Sequence, residues 1–212
     1  MTDAGRSHLA RQLDAVGVEA STAALEALER WLDLHEKWSR RFNLTGTRDR
    51  TELIERHLVD CAAIVPRLPP GRLVDVGSGA GLPGFVVGLL EPARGVVLLD
   101  AQERRTAFLH QAVLELGAGN VSVVTARAES WSPPDDTSAV LARAVAPLAR
   151  LVALCAPLLT PDRSLLAMKG PGWRNEVADL PPGYRLKDAY EYRLPGRDRI
   201  HVLLEVEQGG AG

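Results

Sequence analysis

With 212 residues, 46% of them hydrophobic and 25% charged, the chain has an ordinary globular composition and the length for one sizeable domain. Disorder is thereby excluded as the default, and so is a membrane span: no apolar run nears about 18 residues, and the first residues are polar and mixed in charge. The formal net charge of −2 gives no general affinity for polyanions, yet residues 30–56 and 163–201 carry an excess of Lys and Arg around an acidic middle at 75–142.

A soluble, cytoplasmic monomer is expected. Cys61 and Cys155 lie in apolar surroundings without CxxC spacing, so they read as buried thiols, with no disulfide and no metal site.

In chain order, Ser21 to Phe42 reads as an amphipathic helix, with Leu25, Leu28, Leu32, His35, Trp38 and Phe42 at three- and four-residue steps. A second helix is expected from about Thr51 to Val65, stopped by Pro66 and Pro69-Pro70-Gly71. These helices form an N-terminal extension, residues 1–70, ahead of a main domain, 71–212. From Arg72 onward short apolar runs alternate with helical stretches, the pattern of a parallel sheet covered on both faces. Strands are expected at Leu73 to Val76, Val96 to Asp100, Val121 to Thr125, Ala139 to Arg143, Ser164 to Lys169, Tyr184 to Tyr192 and Ile200 to Val206. Helices are expected at Gly84 to Leu90, Glu103 to Leu116, Leu148 to Leu159 and Asn175 to Leu180. The segment Arg193 to Arg199 is too short for a crossover helix, so the last two strands should form an antiparallel hairpin. The fold class is therefore α/β, a Rossmann-like sheet of seven mostly parallel strands.

Asp75-Val-Gly77-Ser-Gly79-Ala-Gly81-Leu82-Pro-Gly84 follows the first strand and opens a helix, as a nucleotide-type loop does. Asp100 ends the second strand, where an acid accepts hydrogen bonds from ribose hydroxyls or caps the next helix. Ala128 and Glu129 follow the third strand, where an adenine edge would lie, although a surface turn has the same composition. Arg143 ends the fourth strand between small residues and points a cation at the reacting position. The dinucleotide pattern GxGxxG would need glycine where Leu82 stands, and the spacing of a P-loop is absent, so NAD(P) and nucleoside triphosphates fit poorly.

In these features the chain resembles class I methyltransferases, and in particular the small-subunit ribosomal RNA guanine-N7 methyltransferase G family, also called glucose-inhibited division protein B. The resemblance rests on Trp38-Ser-Arg-Arg-Phe-Asn43-Leu-Thr45, Arg56-His57-Leu-Val-Asp60, the glycine loop, Leu98-Leu-Asp100 with Arg105-Thr-Ala-Phe-Leu109, Arg127-Ala-Glu129, Ala142-Arg143-Ala144 and Lys169-Gly170. It implies methyl transfer from S-adenosylmethionine, with S-adenosylhomocysteine as product, to N7 of guanine 527 in 16S rRNA, presented as RNA or as the 30S subunit. By resemblance the cofactor contacts fall on Gly77, Leu82, Ala128, Glu129 and Arg143; Gly79, Gly81 and Asp100 are added from the loop and the fold. The chain departs from the family at Gly46-Thr47, at Cys61 and at Ala142.

Guanine N7 carries an in-plane lone pair, so no general base is expected and positioning should dominate. Asn43, Thr45 and Arg143 are the expected target-side residues, with Arg143 touching both the cofactor's methionine end and guanine O6. Lys169 and Arg174 are candidate phosphate contacts. His57 reads as a packing or capping histidine. A small-molecule acceptor, with the N-terminal helices as a lid, and a non-catalytic nucleotide-binding regulator are the alternative readings.

Overall fold

The computed structural model describes residues 3–42 and 44–209, with side chains from residue 8 onward. Among the described residues seven strands form one sheet: β1 (Arg72–Val76), β2 (Val96–Asp100), β3 (Val121–Thr125), β4 (Thr137–Arg143), β5 (Ser164–Lys169), β6 (Tyr184–Arg193) and β7 (Ile200–Gln208), in spatial order β3-β2-β1-β4-β5-β7-β6. β1 to β5 pair in parallel, and β7 runs antiparallel between β5 and β6. The seven expected strands and the hairpin are all present; the first, fourth, sixth and seventh run one or two residues longer than their hydrophobic patterns. The strand order reverses between β1 and β4, the place where open α/β sheets leave a crevice at their carboxyl ends.

Alternating side chains divide the core. On one face Val74, Val76, Val97, Leu99, Val140 and Ala142 pack under α7 (Leu148–Cys155), together with Trp173 of α8 (Trp173–Ala178). On the other, Leu98 and Val96 meet Phe85 and Val86 of α5 (Gly84–Leu90) and Phe108 and Leu109 of α6 (Glu103–Leu116). The N-terminal helices join this second core: α2 (Thr22–Ser39) supplies fully buried Leu28 and Trp31. Ser21 caps α2 by accepting the Ala24 N–H at 3.1 Å, a contact of about 1 kcal/mol. The described N-terminal helices are thus a layer of the same core as α5 and α6. Cys61 and Cys155 are buried free thiols, and burial pushes both up to about 12.

Helix bounds differ from the sequence reading at α2, which ends at Ser39, at α7, which passes into a 3-10 turn at Ala156–Leu158, and at α8, which starts two residues earlier than expected. Two larger features also differ. α1 (Asp3–Asp14) occupies a stretch that reads only as polar; Leu9 and Leu13, one helical turn apart and fully buried, supply the tertiary anchor that its propensity lacks. The second expected helix is a continuous run broken by geometry: α3 (Arg50–Leu53), a π turn (Ile54–Leu58) and α4 (Val59–Ala63). The π turn carries His57.

Candidate active site

The loop after β1 depends on glycine. Gly77, Gly79 and Gly81 have φ of 68°, 58° and 87°, and a Cβ on Gly77 would stand 2.7 Å from Val145 Cγ2, so the loops after β1 and β4 touch through a missing side chain. Asp100 accepts the Gly79 N–H at 3.0 Å with Oδ2 and the Gln102 N–H at 2.9 Å with Oδ1, so one carboxylate fixes the glycine loop and starts α6. Arg105 Nη1 lies 3.4 Å from the same Oδ2. Asp75, fully buried, accepts the Gly84 N–H at 2.8 Å with Oδ2, while Oδ1 has no partner among the described residues. Burial, partly offset by that N–H, lifts its carboxyl to about 7.

From the end of β4, Arg143 donates Nη1 to His57 Nδ1 at 3.2 Å and to Asp60 Oδ2 at 3.3 Å. Asp60 also accepts the Tyr192 hydroxyl at 2.7 Å, and His201 Nδ1 sits 3.1 Å from the same Oδ1. Burial alone would raise the Asp60 carboxyl, but His201, Arg143 and Tyr192 hold it below the usual range. Burial, then the neighbouring Arg143 charge, lowers His57 to about 4, so its ring is neutral. Ala144, the next residue, has φ of 55°, a left-handed conformation that costs a non-glycine residue about 1 kcal/mol or more.

Two clefts meet at this point. One, of about 220 Å³, is lined by Gly77, Gly79, Leu82, Thr45, His57 and Arg143. The other, of about 790 Å³, is lined by Arg56, His57, Arg143, Lys169, Arg197 and Arg199 among others. His57, Arg143 and Ala144 belong to both. A nucleotide-type loop therefore opens beside a basic recess, with one guanidinium at the junction.

The family model for rRNA small subunit methyltransferase G matches residues 24–200. A ribosomal RNA small subunit methyltransferase G from Halorhodospira halophila is 46% identical over 176 residues, 83% of this chain and 84% of that one. The chain belongs to the rRNA small subunit methyltransferase G family. Another member, from Chromohalobacter salexigens, is 40% identical over 208 residues, 98% of this chain and all of its own, 100%. A SAM-dependent methyltransferase from Aquifex aeolicus shares the fold, with a TM-score of 0.54 at 18% identity over 74% of this chain and 93% of its own.

In this methyltransferase G family member, Gly77, Gly79, Leu82, Thr45 and Arg143 gather around the smaller cleft. Gly81 turns away from it: a Cβ there would meet Phe85 Cβ at 2.7 Å, so that glycine serves the packing of α5. Ala128 is buried and Glu129 exposed in a 3-10 turn after β3, beside Asp100 along the sheet edge but outside the lining of either cleft. Asn43 lies outside the described residues. Thr45 donates its hydroxyl to Thr47 O at 2.8 Å and faces His35 Nε2 at 3.1 Å, so the loop after α2 is anchored to a buried histidine.

Lys169 lines the basic recess and is also engaged structurally. Its ammonium donates to Ala146 O and to Glu176 Oε2, each at 2.7 Å, and Glu176 accepts the Leu148 N–H at 2.6 Å, so the pair ties down the loop that carries Ala144. Arg174 is exposed, bonded to Glu191 at 2.9 Å and stacked 4.3 Å over Trp173, and lines neither cleft. Asp60, Tyr192 and His201 carry no role from sequence, although Asp60 closes the Arg56-His57-Leu-Val-Asp60 block on which the resemblance rests. Among the described residues no helix is long and apolar enough to cross a membrane, and no group of three His, Cys, Asp or Glu could hold a metal ion.

Proposed function

We propose that this protein transfers the methyl group of S-adenosylmethionine to N7 of guanine 527 in 16S rRNA, acting as a monomer in the cytoplasm. The observation that carries the reading is the junction of a glycine-loop cleft with a basic recess at Arg143, His57 and Ala144. Family membership supports the ribosomal substrate, since the relatives are named for it.

The residues fit such a cofactor. Gly77 and Gly79, at positive φ, line the smaller cleft with bare backbone, and Asp100 stands at the end of β2 beside that loop. Gly77, Gly79 and Leu82 would hold the methionine portion, Asp100 the ribose, and Ala128 with Glu129 the adenine. Arg143 has Nη2 and Nε without a partner among the described residues, which leaves donors for the cofactor's carboxylate. When bound, S-adenosylmethionine supplies a methyl group on a sulfonium sulfur.

The protein's own contribution is placement. N7 needs no deprotonation, so the site requires no base. His57, neutral and beside Arg143, cannot repel the charge that develops on the purine. The recess of about 790 Å³ has room for a purine nucleotide, and Arg56, Arg197 and Arg199 at its rim suit flanking phosphates. The test is tritium transfer from labelled S-adenosylmethionine to purified 30S subunits lacking the modification, with 50S subunits as control. Label confined to the 30S RNA is expected; label in neither particle, with transfer to a small-molecule extract, would refute the reading.

A further inference from the structure

We propose that His57 reads O6 of the target guanine as a fixed hydrogen-bond donor and so sets the base specificity of the reaction. This rests on the reading above, that a guanine enters the basic recess. The observation behind it is a forced tautomer.

A guanidinium only donates, so the 3.2 Å contact from Arg143 Nη1 makes His57 Nδ1 an acceptor. In a neutral ring the proton is then on Nε2. That nitrogen has no partner among the described residues, is not sealed in the interior, and belongs to a ring that lines both clefts. The other histidines near the site differ. Thr45 donates to Thr47 O, so it accepts from His35 Nε2, and His35 Nδ1 faces Ser39 Oγ at 3.3 Å; both nitrogens of that ring are spent. His201 is turned onto Asp60.

The chemistry of the acceptor calls for such a donor. Beside N7, guanine presents the O6 acceptor, whereas adenine presents the N6 amino donor. N7 must keep its lone pair free, so discrimination has to come from the neighbouring atom. An N–H held opposite O6 accepts guanine and sets donor against donor with adenine. His57 cannot switch to an acceptor at Nε2, because that needs a proton on Nδ1, where Arg143 already donates. Arg143 thus acts on specificity through His57. In this reading His57 supplies the donor to O6 in place of the direct Arg143 contact expected from sequence, and Arg143 Nη2 and Nε stay available to the cofactor's carboxylate.

The experiment compares guanine with 2-aminopurine, which lacks O6 and keeps N7, at the target position of 30S subunits reconstituted from ligated 16S RNA. The kcat/KM ratio is measured for the parent, His57→Ala and His57→Gln; any intrinsic difference in N7 reactivity cancels between enzymes. His57→Ala is expected to lower the preference for guanine by about tenfold or more relative to the parent, and His57→Gln, which keeps an N–H, to restore much of it. A ratio in His57→Ala equal to the parent's, even with slower turnover on guanine, overturns the proposal. Failure of the parent to methylate either target is a different result: it overturns the methyltransferase assignment itself.

Discussion

Asp100 Oδ2 accepts the Gly79 N–H at 3.0 Å, so the acid that ends β2 grips the loop that follows β1. Its other oxygen takes the Gln102 N–H at 2.9 Å. An amide at this position has only one acceptor oxygen for two backbone donors. Asp100→Asn is therefore expected to lose about 1–3 kcal/mol of stability and to weaken S-adenosylhomocysteine binding at least about tenfold in calorimetry. Unchanged affinity would remove Asp100 from the cofactor site.

Gly77 joins two loops. Gly77→Ala forces a non-glycine residue into φ near 68° and places a Cβ 2.7 Å from Val145 Cγ2. The strain costs about 1–2 kcal/mol, and the displaced loop carries Ala144 and its neighbour Arg143. Weaker cofactor binding and a lower melting temperature are expected. Adding Val145→Ala should relieve the clash but not the backbone strain, so the double variant should recover only part of the loss. Full recovery would show that the backbone conformation is immaterial.

The roles of the basic residues separate in salt. If Arg197 and Arg199 contact phosphates, replacing either by Ala should lower the slope of log K against log salt, for 30S binding, by about one unit or somewhat less. Lys169→Met should leave that slope unchanged, because its ammonium is already held by Ala146 O and Glu176, yet it should slow turnover by loosening the Ala144 loop. A reduced slope in Lys169→Met would return that residue to the phosphate contacts.

Stability should respond to pH through groups that titrate in opposite senses. His35 is lowered to about 4 by burial and by nearby His57, and His57 is lowered to about 4 as well. Between about 4 and 6.5 the unfolded chain binds more protons at these histidines, so stability falls as pH falls through that window. Asp75, raised to about 7 by burial, works the other way: the folded chain binds the extra proton, so stability falls as pH rises from about 4 to about 7. Urea unfolding should therefore show Asp75→Asn gaining more over the parent at pH 8 than at pH 5. An equal gain at both values would mean that Asp75 is ionised throughout.

Much of the architecture was readable from sequence because its signals are local. Val96 to Asp100 and Ser164 to Lys169 are short apolar strands bounded by turns, and the short Arg193 to Arg199 connection required a hairpin. The glycine loop and Arg143 were legible because their motif and their place at strand ends leave few other uses. What escaped depends on partners distant in sequence. α1 is held by two leucines whose pocket is built by α2 and α4. His57 looked like a packing residue because nothing in residues 50–63 announces a π turn or an arginine arriving 86 positions later. Lys169 looked free because its acceptors, Ala146 O and Glu176, are brought to it only by the folded loop.

The most direct test is to locate the methyl group. The 30S subunits lacking the modification are incubated with this protein and S-adenosylmethionine, and the extracted 16S RNA is treated with borohydride and aniline and read by primer extension. The account predicts one new cleavage, at guanine 527, absent with Arg143→Ala. Cleavage at a different base, or methylated RNA resistant to this N7-specific treatment, would contradict it.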